Sequence, residues 1–558
     1  MNTFELLEIA CAIVPDRPAF IAGANGEIKP DFATFRDRAS RLATVLSDMG
    51  VGRGDRVALM EVNSPAHAET YFASAMLDAI YVPVNFRSRT AEANHMLERT
   101  TPLVVLAGER YIELIDSCES IDGDKTGRIA LESGSAENGW TDYEAAIGAA
   151  EPYLGYPTDD DDDTTMIMFT SGSTSAPKGV TLTHGSFTSF AMDNVPPADP
   201  DANECNLLTV PLYHIAGVQS MMAGVWGGRT LVLQQQFEPE GWMELVQREN
   251  VNRAMMVPTM LKTLMDHPKF SEFDLSSLDV ITYGAAAMPE SVILKAIEKF
   301  PDVKFINAFG QTETAGGITM LPPEDHDLTG TPEEVAKKRT RLRSIGVPLD
   351  GVEVVIMNEE GEEVPDNEQG EIVARGKRLM KGYWGDDTNR ALNSEGWLHT
   401  GDLGYRDEDG YIFLTGRARE IIKRGGEMIS PEEVEETLER HEAVREASVI
   451  GVPDTTWGEL VHAVVVIEDG ASVSEDELIE HTRKALASYK KPEKIYFTDE
   501  LPRNALGKVI RPRIKEQFGG GGSGLPVPSP GGRGEKFFEA EGEVPAKLKV
   551  PETTSRDI

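Results

Sequence analysis

In FATFRDRASRLATVLSDMG, Phe32 to Gly50, apolar residues recur at helical spacing and the run stops at a glycine, so the pattern predicts a helix. The strand-like DRVALM follows, then the helical PAHAETYFASAMLDA and the apolar IYVPVN. The same rhythm of apolar segments with helical stretches between them returns at TPLVVLAG, TLVLQ, NRAMMVPTMLKTLM and LDVITYG. Such alternation predicts an α/β layered core. Between residues 345 and 415 the texture changes to short strands with Gly, Asp and Asn turns, which predicts a small β-rich subdomain. Beyond Gly416, helices at PEEVEETLERHE and SEDELIEHTRKALASY alternate with strands at EASVIGVPD, HAVVVIE and EKIYFTDE, enough for one small α+β domain. From Gly519 the Gly/Ser/Pro-rich GGGGSGLPVPSPGG and the polar tail after it read as a disordered linker.

Composition narrows the class. The 558 residues carry 54 Lys and Arg against 93 Asp and Glu, a net charge of −39. A surface so negative repels nucleic-acid backbones and anionic lipid. Three scattered cysteines, Cys11, Cys118 and Cys205, build neither a disulfide framework nor a zinc site. The start MNTFELLEIACAIVPD lacks the basic region of a signal peptide, and no uncharged apolar run is long enough to cross a bilayer, so the expectation is a cytoplasmic protein.

Chemistry concentrates in a few segments. MIMFTSGSTSAPKGVTLTHGS, Met166 to Ser186, leads a strand-like run into a loop rich in hydroxyls and glycine, with Lys178 near its end. Hydroxyls and exposed glycine N–H groups suit phosphate oxygens, and a lysine adds a mobile charge. Pro177 before Lys178 and Gly179 after it exclude a Walker A loop. NAFGQTET, Asn307 to Thr314, follows the strand-like VKFI and offers an aromatic ring, a glycine, a hydroxyl and a carboxylate suited to nucleotide-borne Mg²⁺. GWLHTGDLG sets Asp402 in a Gly-bounded turn, where a carboxylate accepts two hydroxyls of a ribose. GRAREIIKRGGEMI and LPRNALGKVIRPRIK are basic and glycine-containing; locally they carry net charges of +2 (Arg417 to Ser430) and +4 (Leu501 to Glu516).

In this order and spacing the segments resemble the AMP-forming adenylating superfamily of acyl-CoA synthetases, luciferases and peptide-synthetase adenylation domains, over about residues 1 to 516. The resemblance implies a large N-terminal domain of layered α/β subdomains plus a small β-rich subdomain, and a small mobile α+β C-terminal lid. The boundaries it implies are 1–416, a hinge at 417–419, a lid at 420–518 and the tail at 519–558. It implies that Thr170, Ser171, Gly172, Ser173, Thr174 and Lys178 hold ATP phosphates, with Phe309 and Gly310 near adenine, Thr312 at the α-phosphate and Glu313 on Mg²⁺. Asp402 and Arg417 would bind ribose, Lys508 would be the catalytic lysine of adenylation, and Arg419 would lie in the hinge. Gly425 and Gly426 would let CoA pass, and His214 would gate an acyl pocket that includes Ile215, Ala216, Gly217, Tyr283 and Ala285.

The implied reaction activates a carboxylic acid with Mg²⁺-ATP and passes the acyl group to CoA. The small residues after His214 favour a medium or long aliphatic acid; an aryl or alicyclic acid, or a carrier protein as acceptor, is the alternative. The same reading leaves room for a homodimer. Three departures stand out: Ser175 where the phosphate loop usually has a second glycine, Arg419 where Asp or Lys is common, and Tyr283 where a small residue is usual. A serine hydrolase is disfavoured because no GxSxG surrounds Ser171, Ser173 or Ser175. A catalytically dead scaffold is disfavoured by the retention of Glu313 and Lys508. Elsewhere plainer roles are expected. Asp159 to Asp163 reads as a solvated, self-repelling linker, Arg53-Gly54-Asp55 as a turn, and Met221, Met222, Met255 and Met256 as core filler; His184 reads as a packing residue.

Overall fold

The structure, a computed structural model, describes residues 1–123, 125–132, 139–170, 177–286, 288–386, 392–417, 420–424, 427–454, 457–486, 488–503 and 509–519. Two eight-stranded sheets dominate it. The first runs edge to edge through Phe20–Ile21, Thr230–Leu233, Cys205–Leu208, Arg253–Met256, Val280–Gly284, Lys304–Gln311, Gly316–Leu321 and Val347–Pro348. The second runs through Gly382–Tyr383, Lys178–Thr183, Thr164–Thr170, Ile80–Pro83, Arg56–Met60, Val104–Ala107, Gly127–Ala130 and Thr141–Asp142. Most pairs are parallel, as alternating strands and helices require. The last strands of the first sheet and the hairpin Thr164–Thr170 with Lys178–Thr183 are antiparallel.

The predicted helix after Asp31 is there as Phe32–Asp48, with the Asp31 carboxylate accepting from Thr34 N at 2.7 Å. It packs with Phe4–Ile13, Pro65–Met76, His184–Asn194 and Ile215–Trp226 into the largest core, which includes Phe35, Phe72, Phe187, Met221 and Met222. Helices Pro239–Glu249, Pro258–Met265 and Glu290–Lys299 cover a second core around Trp242, Met256, Tyr283 and Phe305. NRAMMVPTMLKTLM, read as one apolar segment, divides into strand Arg253–Met256 and helix Pro258–Met265. Proline cannot donate to a sheet but suits the first helical position, and so marks the division. The β-rich region forms a four-stranded antiparallel sheet of Val352–Met357, Gly370–Gly376, Leu398–Arg406 and Ile412–Arg417.

The C-terminal sheet joins Glu427–Ile429, Ile422–Arg424, Gly458–Ile467 and Val444–Asp454, with Lys494–Phe497 parallel to Gly458–Ile467. Helices Pro431–Glu439 and Glu475–Ala485 contribute Val434, Leu438 and Leu478 to its own apolar core. Among the described residues no helix is long and apolar enough to cross a membrane.

One expectation holds and one changes. His184 is a buried packing residue, within hydrogen-bond reach of Asn2 and Thr3. The run Asp159 to Asp163 is not a self-repelling linker, since each carboxylate has a cationic partner: the N-terminus, Arg53, Lys377 or Lys381.

Candidate active site

The hydroxyl-rich segment is held at its neck by the hairpin of the second sheet, in which Thr170 faces Lys178 across the ladder. Ser171, Gly172, Ser173, Thr174 and Ser175 lie outside the described residues. Lys178 is exposed, and its ammonium stands 4.8 Å from the centre of the Tyr383 ring. Tyr383 in turn donates its hydroxyl to Glu313 Oε1 at 3.0 Å, and Met380 N donates to the Glu313 carbonyl at 2.8 Å. A short strap from the β-rich region thus links the hairpin that carries Lys178 to Glu313, the carboxylate expected to meet the metal. Nothing in the sequence reading had singled out Tyr383.

Glu313 owes its position to a backbone reversal. NAFGQTET does not follow a strand; strand Lys304–Gln311 runs through it, with a register shift between Phe309 and Gly310. Phe309 packs at the margin of the largest core. At Gly310 a Cβ would run into the Gly316 carbonyl oxygen, so the crossing needs glycine. The chain then makes a single 3₁₀ turn, Thr312–Thr314, and reverses through Ala315 and Gly316, at φ +52° and +113°. Gln311 N donates to Thr314 Oγ1 at 2.8 Å, and Thr314 Oγ1 donates to Gly316 O at 2.5 Å. Thr312 and Glu313 are therefore carried on a tight, internally bonded turn.

Asp402 is not in a turn but within strand Leu398–Arg406, directly across from Arg417 on Ile412–Arg417. Gly401, at φ +73°, and a register shift between Leu403 and Gly404 supply the local irregularity that the glycines suggested. The buried Asp402 carboxylate pairs with Arg417 Nε at 3.0 Å and accepts from Gln311 Nε2 at 2.6 Å; Gln311 Nε2 also reaches Thr400 O at 3.0 Å. Gln311 is thus the bridge between the Glu313 turn and Asp402.

His214 precedes helix Ile215–Trp226, and its carbonyl accepts from Gly217 N at 3.0 Å and Val218 N at 3.1 Å. Its Nε2 is shut off from solvent and has no partner among the described residues. Burial, helped by the Arg87 guanidinium, pushes its pKa down to about 3, so the ring is neutral. Ile215 is half-buried and Ala216 buried, while Gly217 lies against the backbone of Val210 and Pro211, where a Cβ would collide with the Pro211 carbonyl. Tyr283 does not line an opening. Its ring is fully buried beneath the outer helices, and its hydroxyl is 2.9 Å from His326 Nε2. Ala285, at the end of that strand, is exposed at φ +64°.

Residues 7–384 match the family model described as AMP-binding enzyme, and residues 433–508 match the AMP-binding enzyme C-terminal domain. The chain belongs to the AMP-binding enzyme family. Among the relatives of this AMP-binding enzyme is a feruloyl-CoA synthase of Amycolatopsis sp, 33% identical over 90% of this chain and 96% of the relative. A long-chain-fatty-acid–CoA ligase of Mycobacterium tuberculosis is 29% identical, over 92% of this chain and 98% of its own length. Among solved structures, ATP-bound MatB from Rhodopseudomonas palustris superposes with a TM-score of 0.82 at 26% identity, covering 93% of this chain and 99% of that one.

In this AMP-binding enzyme Lys508, Arg419, Gly425 and Gly426 lie outside the described residues. The neck of the segment that carries Lys508 is described: Arg503 and Val509 bridge across it, and Ile510 N donates to Pro502 O at 2.8 Å. Arg511, just beyond, is clamped by Glu420, Glu432 and Glu435, the last at 2.6 Å.

Proposed function

We propose that the protein is an AMP-forming acid–CoA ligase. In the first step a carboxylate oxygen attacks the α-phosphorus of ATP, the bond to the β-phosphate breaks, and pyrophosphate leaves. In the second, the sulfur of CoA attacks the acyl carbon, the bond to AMP breaks, and the thiol proton passes to solvent. No protein nucleophile is needed, because adenylation turns the carboxylate oxygen into a good leaving group.

The observation that carries this reading is one connected chain of side chains. Lys178 stands over Tyr383, Tyr383 bonds Glu313, and Gln311, two residues before Glu313, bonds Asp402, which pairs with Arg417. Groups suited to phosphates, to a nucleotide-borne cation and to ribose hydroxyls are thereby held in fixed relation, as positioning catalysis requires. In this reading Thr170, Lys178 and the intervening Ser171, Gly172, Ser173 and Thr174 hold the β- and γ-phosphates, while Thr312 meets the α-phosphate. Glu313 gives one oxygen to the magnesium that arrives with ATP. A single carboxylate fits that ion, since Mg²⁺ keeps waters and phosphate oxygens as its other ligands, and among the described residues no cluster of three ligating side chains offers a resident cage. Phe309 and Gly310 flank adenine, and Asp402 with Arg417 takes the ribose.

Lys508 completes the first step from the lid, 420–518. Rotation about 417–419, with Arg419 as the pivot, then replaces it with the face that carries Gly425 and Gly426, past which the pantetheine arm enters beside His214. The test is AMP and pyrophosphate release from ATP with a panel of carboxylic acids, with and without CoA. Dependence of both on acid, and of thioester on CoA, is expected; turnover of ATP to ADP, or none with any acid, refutes the reading.

A further inference from the structure

Resting on the ligase reading, in which Lys178 meets the phosphates of ATP, we propose that His95 is a positioning residue for that lysine. Helix Thr90–Thr100, which carries His95, thereby takes part in nucleotide binding although none of the motifs includes it.

The helix is a firm platform. Its buried Ala93, Met96 and Leu97 share a core with Met60, Val82, Val105 and Ile167 of the second sheet. His95 and Arg99 are four residues apart, so they project from one side of the helix, one turn from each other. Half-buried His95 brings Nε2 to 3.2 Å from the carbonyl oxygen of Pro177, the residue immediately before Lys178. A carbonyl only accepts, so the ring carries a hydrogen on Nε2 and donates it.

The carbonyl after Lys178 is held as well, because Gly179 O accepts from Trp384 N at 2.7 Å. Trp384 is tied back to the same helix. Arg99 Nη2 donates to Trp384 O at 3.1 Å, and Trp384 Nε1 donates to Arg99 O at 3.0 Å. Lys178 therefore sits between two backbone carbonyls, one held by His95 directly and one held through Arg99 and Trp384. Lys178 is the first residue of its strand, where the ladder with Thr170 constrains the chain on one side only. The Pro177 oxygen and the Lys178 N–H belong to one planar peptide, so fixing the oxygen fixes the root from which the lysine side chain departs. The far end of that side chain is placed over the Tyr383 ring. A long, flexible cation anchored at root and tip loses less freedom when phosphates arrive, and binds them more tightly for it.

The test uses the full-length protein and two readouts, equilibrium binding of Mg·ATP by calorimetry and acid-dependent pyrophosphate release. His95→Leu and His95→Gln are each measured with Lys178 intact and with Lys178→Ala. His95→Leu should weaken Mg·ATP about 3- to 10-fold in Kd and KM while leaving the KM of the acid unchanged. His95→Gln offers an amide N–H to the same carbonyl and should restore Mg·ATP affinity to within about 2-fold of wild type. In the Lys178→Ala background both His95 variants should bind Mg·ATP as Lys178→Ala alone does, because the group through which His95 acts is gone. A general loss of packing would persist in that background, so the cycle separates positioning from stability. Unchanged affinity in His95→Leu, equal loss in His95→Leu and His95→Gln, or the same loss with and without Lys178 overturns the proposal and leaves the ligase reading intact. Wild-type affinity in Lys178→Ala overturns the phosphate role of the lysine and the proposal with it. Absence of pyrophosphate release by wild type with every acid overturns the ligase reading itself.

Discussion

Glu61 offers a direct test of how this fold manages a buried charge. It follows strand Arg56–Met60 and is 4% exposed. Oε1 accepts from Val62 N at 2.7 Å, while Oε2 has no partner among the described residues and lies against Gly108, where any Cβ would collide with it. Burial, with Glu132 adding to it, pushes the carboxyl up to about 7 from an ordinary 4.5, against the pull of the Val62 N–H and Arg110. A raised carboxyl pKa means that the folded state holds its proton more tightly than the unfolded chain. Below about pH 4.5 both states are neutral and nothing is lost; as pH rises from there to about 7 the unfolded chain ionises first, and stability falls. At 1.36 kcal/mol per pH unit the full loss is about 3 kcal/mol, complete above about pH 7. Glu61→Gln keeps the shape and removes the ionisation. The variant should gain about 3 kcal/mol over wild type between about pH 4.5 and about pH 8, read from urea unfolding of the N-terminal transition at both values. If the difference between the two proteins is the same at both, Glu61 titrates as an exposed carboxylate and the desolvation argument fails.

Other outcomes follow from the same geometry. Tyr383→Phe keeps a ring beneath Lys178 but removes the hydroxyl from Glu313, and should lower pyrophosphate release about 10-fold at limiting magnesium, less at saturating magnesium; no dependence on magnesium would separate Tyr383 from Glu313. Lys508→Ala should abolish acyl-adenylate formation yet still convert supplied acyl-adenylate and CoA to thioester, and equal loss of the two half-reactions speaks against its assigned step. His326, whose pKa burial lowers to about 4, gives stability that is complete above its ordinary 6.5 and lost as pH falls toward 4. His326→Gln should therefore flatten the acid limb of the stability profile by about 3 kcal/mol, and an unchanged limb would show that other groups set it.

The alternation of apolar periods foretold the layered sheets, because strand and helix patterns are local properties that packing reinforces. The motifs contain Lys178, Glu313, Asp402 and Arg417, which the structure links through Tyr383 and Gln311. What the sequence could not convey was connection across long separations. Tyr383 and Glu313 are seventy residues apart in the chain, and only the pairing of Gly382–Tyr383 with Lys178–Thr183 brings the hydroxyl to the carboxylate. Gln311 lies within the NAFGQTET segment, but its bond to Asp402 depends on two different sheets meeting. Tyr283 failed in the opposite sense. The resemblance implied a pocket wall there, yet strand alternation turns its ring under the outer helices, toward His326.

The acidic run shows how a feature that looked incidental enters the site. Lys377 bonds Asp161 and holds its carboxyl below the ordinary range, while Lys381 pairs with Asp162 at 2.9 Å and donates to its carbonyl at 3.1 Å. These two lysines begin the strap that delivers Met380 N to the Glu313 carbonyl, Lys381 N to Thr181 O at 2.9 Å and Tyr383 to the Glu313 carboxylate. Exposed ion pairs of this kind contribute little to stability, commonly below about 1 kcal/mol each, so their effect here is alignment. They fix which residue of the strap meets the hairpin Thr164–Thr170 with Lys178–Thr183, and together with the N-terminus and Arg53 they offset four of the five carboxylate charges just ahead of the strand that leads into it. On the ligase reading, a chain of net charge −39 then presents Lys178 to the phosphates of ATP with most of the charge of Asp159 to Asp163 offset. The charge that argues against nucleic acid is, at this one place, spent on holding the site in register.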